Sequence, residues 1–413
     1  EYDLGWGSLL SSSAFIDGEG VKDQDQSSFG GLPVVQPLKS DVEAFSQELR
    51  LVSQLEGPLQ FSTGLYYENI DRGEQDTVLW GGSPDLNPVF PQNVSSSLSI
   101  TGLKQKAVFG EMSYDITEQL KATVGGRYFD YNKDKTAIYE ISFDVTLPAR
   151  EPETIDETGQ TFKANLSYQV TDNVLVYGDW SEGFRLGRGQ ATSPGCMAAG
   201  IPAKGIESDT SENFELGLKG SFADKRITFN ASVYQIDWEG IPVLTALTDT
   251  CFQFVNAVSA KSEGVEVELQ AYLIEKLKVD FNASYNEAKL GEDLSASAVK
   301  GDNLPGSADV SATLGLEYDF SVQGLDSFAR IDYTYLGEYY SDFAEKTTPA
   351  GNYGQLNLKA GLIFNQIAVD LFVNNATNKD SLSWVSSLQS TIGLTSANRI
   401  RPRTIGINAS YQF

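Results

Sequence analysis

The sequence predicts an all-β chain that crosses a membrane as an antiparallel, up-and-down β-barrel. Three observations carry that prediction. Apolar and polar residues alternate with period two in segment after segment, and the connections between segments alternate between short and long. No stretch approaches the roughly 18 consecutive apolar residues of a membrane helix, whereas a barrel strand needs only about 9–11 residues and one apolar face.

The alternation is clearest at the C-terminal end, residues 402–413. Ile405, Ile407, Ala409, Tyr411 and Phe413 interleave with Thr404, Gly406, Asn408, Ser410 and Gln412, so one face is apolar and the other polar. The pattern recurs at Phe162–Val170, Val310–Tyr318 and Leu356–Phe364, and again at Leu120–Tyr128, Val265–Ala271, Val279–Tyr285 and Ile367–Val373. A soluble sandwich also alternates. Here, however, the polar faces carry sets such as Glu266, Glu268 and Gln270, or Arg330, Asp332 and Thr334, which are too charged for a dry core. A wet or plugged lumen tolerates them.

Counting these runs gives about 16 strands in a single domain spanning residues 1–413. The first, about Trp6–Ile16, runs outward if Phe413 ends in the periplasm. Short connections fall at 56–58, 118–119, 172–173, 223–224, 275–276, 322–326 and 365–366. Long ones fall at 17–43, 71–104, 136–157, 186–210, 243–259, 291–307, 341–352 and 376–401. Short turns on one rim and long loops on the other are the arrangement of outer-membrane barrels. All 14 prolines sit in loops, turns or strand ends, where no ladder hydrogen bond is lost.

Composition narrows the chemistry. The 413 residues contain no histidine, two cysteines and two methionines, but 19 Tyr, 22 Phe and 5 Trp. Without histidine, Ser-His-Asp catalysis and His-ligated zinc are excluded, and two distant cysteines cannot form a zinc ribbon. No glycine loop follows a strand and opens a helix to cradle phosphate. The chain therefore reads as neither an enzyme nor a holder of a cofactor or metal. A net charge of −26 argues against nucleic acid and suits acidic surfaces in water. The first residue is Glu1, with no charged-then-apolar leader, so a signal peptide is expected to have been removed.

Several segments, in order along nearly the whole chain, resemble those of TonB-dependent receptors, the energised transporters of Gram-negative outer membranes. They are Phe45–Ser53 (FSQELRLVS) with Gly64-Leu65-Tyr66-Tyr67, Tyr177–Arg185 (YGDWSEGFR), Ser208–Gly220 (SDTSENFELGLKG) and Asn256–Glu268 (NAVSAKSEGVEVE). Asn374–Lys379 (NNATNK) and Arg401–Phe413 (RPRTIGINASYQF) complete the set. The resemblance implies a barrel of about 22 strands, of which roughly six are missing here. It also implies a plug domain, through which the TonB complex would act, although nothing in this chain looks like a plug. The implied partners are a lipid bilayer with lipopolysaccharide, the barrel-insertion machinery, which would read Tyr411 and Phe413, and a small-molecule substrate. A ferric siderophore is the commonest substrate class, with other chelates and oligosaccharides open. Independently of the family, Gly183 at a strand–loop junction suits unusual dihedrals and close approach, and Asn374, Asn375 and Asn378 suit turn hydrogen bonding.

Each candidate site has a structural alternative. Cys196 and Cys251 lie in long loops flanking the strand pair 211–242, which suggests an exterior disulfide; two separate thiols are the alternative. Tyr339, Tyr340 and Phe343, with Trp80 and Trp384 in other loops, form either a ligand-stacking surface or, for the tyrosines especially, an interfacial girdle. Arg185 stands for a set with Arg127, Arg330, Arg399, Arg401 and Arg403 that suits an anionic ligand, internal salt bridges being the favoured reading. Asp23, Asp25, Glu292 and Asp293 match no calcium loop. Besides an importer, two functions remain compatible with the sequence: a passive porin closed by the strands present, and a structural or adhesive surface component.

Overall fold

The computed structural model describes residues 1–25, 34–80, 93–142, 145–146, 153–190, 196, 198–202, 205–246, 251–294, 298–341, 343, 348–386 and 396–411. The chain divides into two compact units. One comprises Glu1–Asn165, Trp180–Glu212 and Trp238–Ser259; the other comprises Leu166–Asp179, Asn213–Asp237 and Ala260–Phe413.

The strands in chain order are β1 (Tyr2–Asp3), β2 (Gly7–Asp25), β3 (Val34–Ser53), β4 (Leu59–Trp80), β5 (Asn93–Asp115), β6 (Leu120–Ser142) and β7 (Val145–Thr146). There follow β8 (Glu153–Thr171), β9 (Val174–Arg185), β10 (Asp209–Phe222), β11 (Ile227–Ala246), β12 (Phe252–Ile274) and β13 (Leu277–Leu290). The series ends with β14 (Val310–Val322), β15 (Leu325–Tyr339), β16 (Ala350–Phe364), β17 (Ile367–Asn374), β18 (Leu382–Ser386), β19 (Ser396–Arg399) and β20 (Thr404–Tyr411). Sixteen of these are eight residues or longer, matching the number of strands expected. Eighteen belong to one sheet in which successive long strands pair antiparallel, and β18 pairs with β19 separately. No helix among the described residues is long and apolar enough to cross a membrane.

The register explains the alternation. Between β13 and β14, Leu277 faces Tyr318, Val279 faces Leu316, Phe281 faces Leu314, Ala283 faces Ala312 and Tyr285 faces Val310. The intervening pairs are Lys278 with Glu317, Asp280 with Gly315, Asn282 with Thr313 and Ser284 with Ser311. Apolar residues thus meet apolar residues on one face, and polar meet polar on the other. The apolar face continues through Tyr333 of β15, Leu358 of β16, Leu371 of β17 and Ile407 of β20. Those side chains are exposed: Leu371 is 57% accessible and Ile407 68%. A continuous apolar belt of this extent is not a surface a soluble monomer presents to water.

On the polar face of the second unit, Arg330 is the hub. It bridges Asp332 at 2.7 Å, Asp280 at 3.2 Å and Glu317 at 3.3 Å, while Lys278 reaches Asp280 at 3.1 Å. Gly315 leaves the space for it, because a Cβ there would lie 2.7 Å from Arg330 Nη2. Three carboxylates gathered on one face are tolerable only with their cations in place.

The seven short turns lie where the sequence put them. Gln323-Gly324, both with positive φ, close β14 onto β15 through the pair Val322 with Leu325, the geometry of a type I′ hairpin. Asn375 and Asn378 both adopt φ +50°. Asn375 is buried; its amide donates to the carbonyls of Lys379 at 2.9 Å and Arg401 at 3.0 Å, and its oxygen accepts the Lys379 N–H at 2.8 Å. The Arg403 N–H donates to Asn378 Oδ1 at 3.0 Å.

Three expectations are corrected. The first strand runs to Asp25 rather than ending near Ile16, and four of the eight long connections, 17–43, 71–104, 136–157 and 243–259, are largely strand. For example, Asp17 pairs with Glu43 and Asp71 with Gly102 inside predicted loops. Beyond the apolar belt both faces are polar, so alternation of hydropathy fades while backbone pairing continues. The 376–401 connection contains the β18–β19 hairpin. Gly183 lies within β9 without positive φ; what it provides is close approach, since a Cβ would come 2.8 Å from Ser211 Oγ.

Arg330→Met should lower unfolding stability by about 2 kcal/mol, with partial rescue by Asp332→Asn, in denaturant titrations of the micelle-embedded protein. Asn375→Ala should cost about 2 kcal/mol by stripping three backbone groups of partners at a left-handed position, and Asn375→Asp should not rescue it, because a carboxylate cannot donate to the Lys379 and Arg401 carbonyls.

Candidate functional site

The long-connection end of the first unit is held by side chains that close backbone gaps. On the polar face of β6, Phe129 and Tyr131 lie two residues apart, with Ala107 of β5 beside them. Tyr66, Leu103, Ile155, Phe184 and Leu186 pack around this cluster. The Phe129 and Phe184 rings stack with centroids 3.8 Å apart and planes 7° from parallel.

Tyr131, only 1% exposed, knots three segments together. Its hydroxyl donates to Glu157 Oε2 and accepts the Gly187 N–H at 2.8 Å. Ser208 donates to the same carboxylate through Oγ at 2.6 Å and through its backbone N–H at 3.1 Å. Beside this knot, Asp209 at the start of β10 is a buried carboxylate. Arg185, at the end of β9, grips it through Nε at 3.1 Å and Nη2 at 2.5 Å, and Trp238 of β11 donates its indole N–H at 2.8 Å. The Arg185 guanidinium also lies over the Trp238 ring, 5.1 Å from its centroid.

Two amides act as surrogate strands. Gln190 pairs with both backbone groups of Phe254, donating at 2.7 Å and accepting at 3.0 Å. Asn256 does the same for Glu207 and adds a bond to the Gly240 carbonyl at 2.8 Å. Cys196 and Cys251 form the expected disulfide, with Cα atoms 4.3 Å apart and both residues buried.

The predicted site residues separate into two groups. In the second unit, the Tyr339 hydroxyl donates to the Ser383 carbonyl at 2.7 Å, and the Val385 N–H donates to Ser341 Oγ at 2.9 Å. These bonds fasten the segment after β15 to β18, bringing Tyr339, Tyr340 and an exposed Trp384 into one neighbourhood; Phe343 is half-buried in the same segment. In the first unit, Trp80 ends β4 opposite Val34, and its side chain lies outside the described residues. Arg185 is committed to Asp209, Arg330 to its acidic cluster and Arg399 to Asp380 at 2.6 Å, as the salt-bridge reading anticipated. Asp293 accepts the Lys300 N–H at 2.8 Å within its own loop. Among the described residues no group of three acidic or cysteine side chains is placed to hold a metal. Tyr411 donates to Gln366 at 2.6 Å across the last hairpin, and Phe413 is outside the described residues.

Sequence reasoning missed Tyr131, Glu157, Ser208 and Trp238. Ser208 and Asp209 open one of the family-like segments and Arg185 closes another, so the signal was their pairing, which only the register reveals.

The disulfide closes a 55-residue separation, for which the chain-entropy account gives about 4 kcal/mol of stabilisation. Intact-mass analysis after alkylation without reductant should find no modified thiol. Reduction should accelerate proteolysis in the loops around Cys196 and Cys251 while leaving the strand circular-dichroism signal unchanged.

Comparison with known proteins places this geometry. The family profile described as TonB dependent receptor-like, beta-barrel matches residues 1–376. The chain is 23% identical over 227 residues to the ferric-pyoverdine 358 receptor of Pseudomonas putida, an alignment covering 51% of the chain and 25% of that receptor. The crystal structure of the ferric yersiniabactin uptake receptor FyuA from Yersinia pestis superposes on 100% of the chain with a TM-score of 0.82 and 16% identity, and 60% of that protein is covered. The siderophore receptor PiuA from Acinetobacter baumannii gives a TM-score of 0.71 over 97% of the chain at 16% identity, again covering 60% of the relative. The chain therefore spans less than two thirds of the length of these relatives. With a profile match over nearly its whole length, the chain belongs to the TonB-dependent receptor family, as part of its β-barrel.

Proposed function

We propose that this chain forms the greater part of the barrel of an outer-membrane importer that takes up a ferric siderophore in a TonB-dependent manner. The carrying observation is the exposed apolar belt joined to a polar face and a rigid, loop-bearing end. The belt matches a hydrocarbon solvent, in which side chains such as Leu371 and Ile407 are buried rather than exposed. The relatives named for ferric-pyoverdine and ferric yersiniabactin favour an iron chelate over a sugar or a free metal.

In this reading the long connections face the exterior and the seven short turns the periplasm. The Tyr131 and Asp209 knots hold the loop bases in fixed positions, so a ligand meets a preorganised rim. The second-unit cluster of Tyr339, Tyr340 and Trp384 offers aromatic faces, and Phe343 and Trp80 remain ligand-stacking candidates by their sequence positions. The acidic polar face around Arg330 faces the lumen, where a plug contributed by the rest of the protein would sit. TonB would act on that plug; the bilayer with lipopolysaccharide surrounds the belt. The assembly machinery would read the C-terminal strand through Tyr411 and Phe413.

Growth of a siderophore-receptor-deficient Gram-negative strain expressing the full-length protein tests this. Under iron restriction, one or more ferric siderophores should restore growth, and disruption of TonB should abolish the effect. Uptake that survives loss of TonB, or steady single-channel conductance from the full-length protein, would instead favour the porin.

A further inference from the structure

Above the Tyr131 knot lies a cleft of about 500 Å³ whose chemistry differs from the rest of this acidic chain. Lys133 and Lys135 follow Tyr131 at steps of two along β6 and so continue the same face. Lys135 stands opposite Thr101 and Lys133 opposite Leu103 on β5, and Ser97 and Ser99 extend the row of hydroxyls. Arg188 closes the opposite side. Its backbone is pinned to Ile206 by two 2.8 Å hydrogen bonds, and its guanidinium lies over the Phe254 ring, 4.9 Å from the centroid.

Three cations therefore converge in a chain whose net charge is −26. Among the described residues, none of the three makes a salt bridge. Two carboxylates border the cleft: Asp134, on the other face of β6 beside Gly102, and Glu153 at the start of β8. The cations also oppose one another: burial, and after it the positive charge of Arg188, hold the Lys133 ammonium below its usual range. Lys133 lies beyond Tyr128, after which Asp130, Asn132 and Asp134 make the outer face of β6 polar, and so outside the apolar belt. Like charges brought together with no salt bridge among the described residues, over hydroxyl donors and a fixed aromatic ring, are arranged to receive an anion.

We propose that this cleft binds carboxylate groups of the imported ligand, which, resting on the importer reading, makes the cargo an anionic, carboxylate-bearing chelate rather than a neutral one. Lys133 and Arg188 supply the charge-assisted contacts, and Thr101, Ser97 and Ser99 add neutral hydrogen bonds. Phe254 keeps the Arg188 fork facing the cleft.

The test is binding to the purified full-length protein in detergent, with three classes of probe. They are carboxylate-bearing iron(III) chelates headed by iron(III) citrate, neutral trihydroxamate chelates headed by ferrichrome, and iron-free oligogalacturonates. Lys133→Glu and Arg188→Glu should each weaken the carboxylate-bearing class about tenfold or more and leave neutral chelates within about twofold, one lost charge-assisted contact being worth about a factor of ten. Arg188→Lys should retain most of the affinity, and added salt should weaken the wild type more than either reversal. Unchanged heat-dependent gel mobility identifies variants that are folded.

Reversals without effect on folded protein, or no binding of any carboxylate-bearing probe, overturn the proposal. Neutral chelates bound or imported under those conditions leave the siderophore reading intact. Oligogalacturonate binding that the reversals abolish, with no iron chelate bound, upholds the cleft and removes the siderophore reading.

Discussion

A peptide group in hydrocarbon has no water to bond to, so a strand that crosses it must pair every amide with a neighbouring strand. The features described above follow from that constraint. Pairing fixes the register, register fixes which side chains share a face, and only then can one face be uniformly apolar. The Leu277–Tyr285 segment against Val310–Tyr318 shows the chain of consequence in nine residue pairs, with apolar and polar rows never mixing. Most described prolines lie outside the strands for the same reason, since each would break the ladder, and the two inside strands, Pro37 of β3 and Pro242 of β11, sit within a few residues of a strand end.

Past the apolar belt the constraint on side chains relaxes, but the ladder persists, and the sheet changes its means of support. Cross-strand burial gives way to specific polar devices. Gln190 and Asn256 act as portable peptide groups, pairing with both backbone atoms of Phe254 and Glu207 where strand continuity fails. Tyr131 and Asp209 are buried polar groups whose partners are complete, which makes the arrangement stiff: moving one segment would leave several groups unpaired. Rigidity near the rim thus comes from hydrogen-bond completeness, as that of a soluble core comes from packing.

The fold was legible wherever physics writes a period-two signal. The belt portions of the long strands could be placed, as could all the short turns, because apolar alternation and turn residues such as Gln323-Gly324 are local properties. The upper halves of β2 to β6 were not legible. There Asp17 faces Glu43 and Asp71 faces Gly102, and a strand polar on both faces looks like a loop in sequence. The disulfide could be anticipated because the two loops flank one strand pair. The Tyr131–Glu157–Ser208 knot could not, since its members are separated by up to 77 positions and none is unusual alone. Arg185 was chosen for its charge, yet that charge is spent on a buried aspartate, while Lys133, Lys135 and Arg188, unremarked in sequence, make no salt bridge among the described residues.

Asn375 has a consequence for how such a chain diverges. It joins β17 to the carbonyl of Arg401 just before β20, so the base of the last long connection is stitched shut below the β18–β19 hairpin. Closing a loop costs entropy that grows slowly with its length, and here the closure is made by three residues at the base rather than by the tip. Residues between Asp380 and Ile400 can therefore be exchanged or lengthened without shifting the pairing of β17 with β20. The strands and the hairpin-bearing connection can then evolve at separate rates, with an asparagine as the boundary between them.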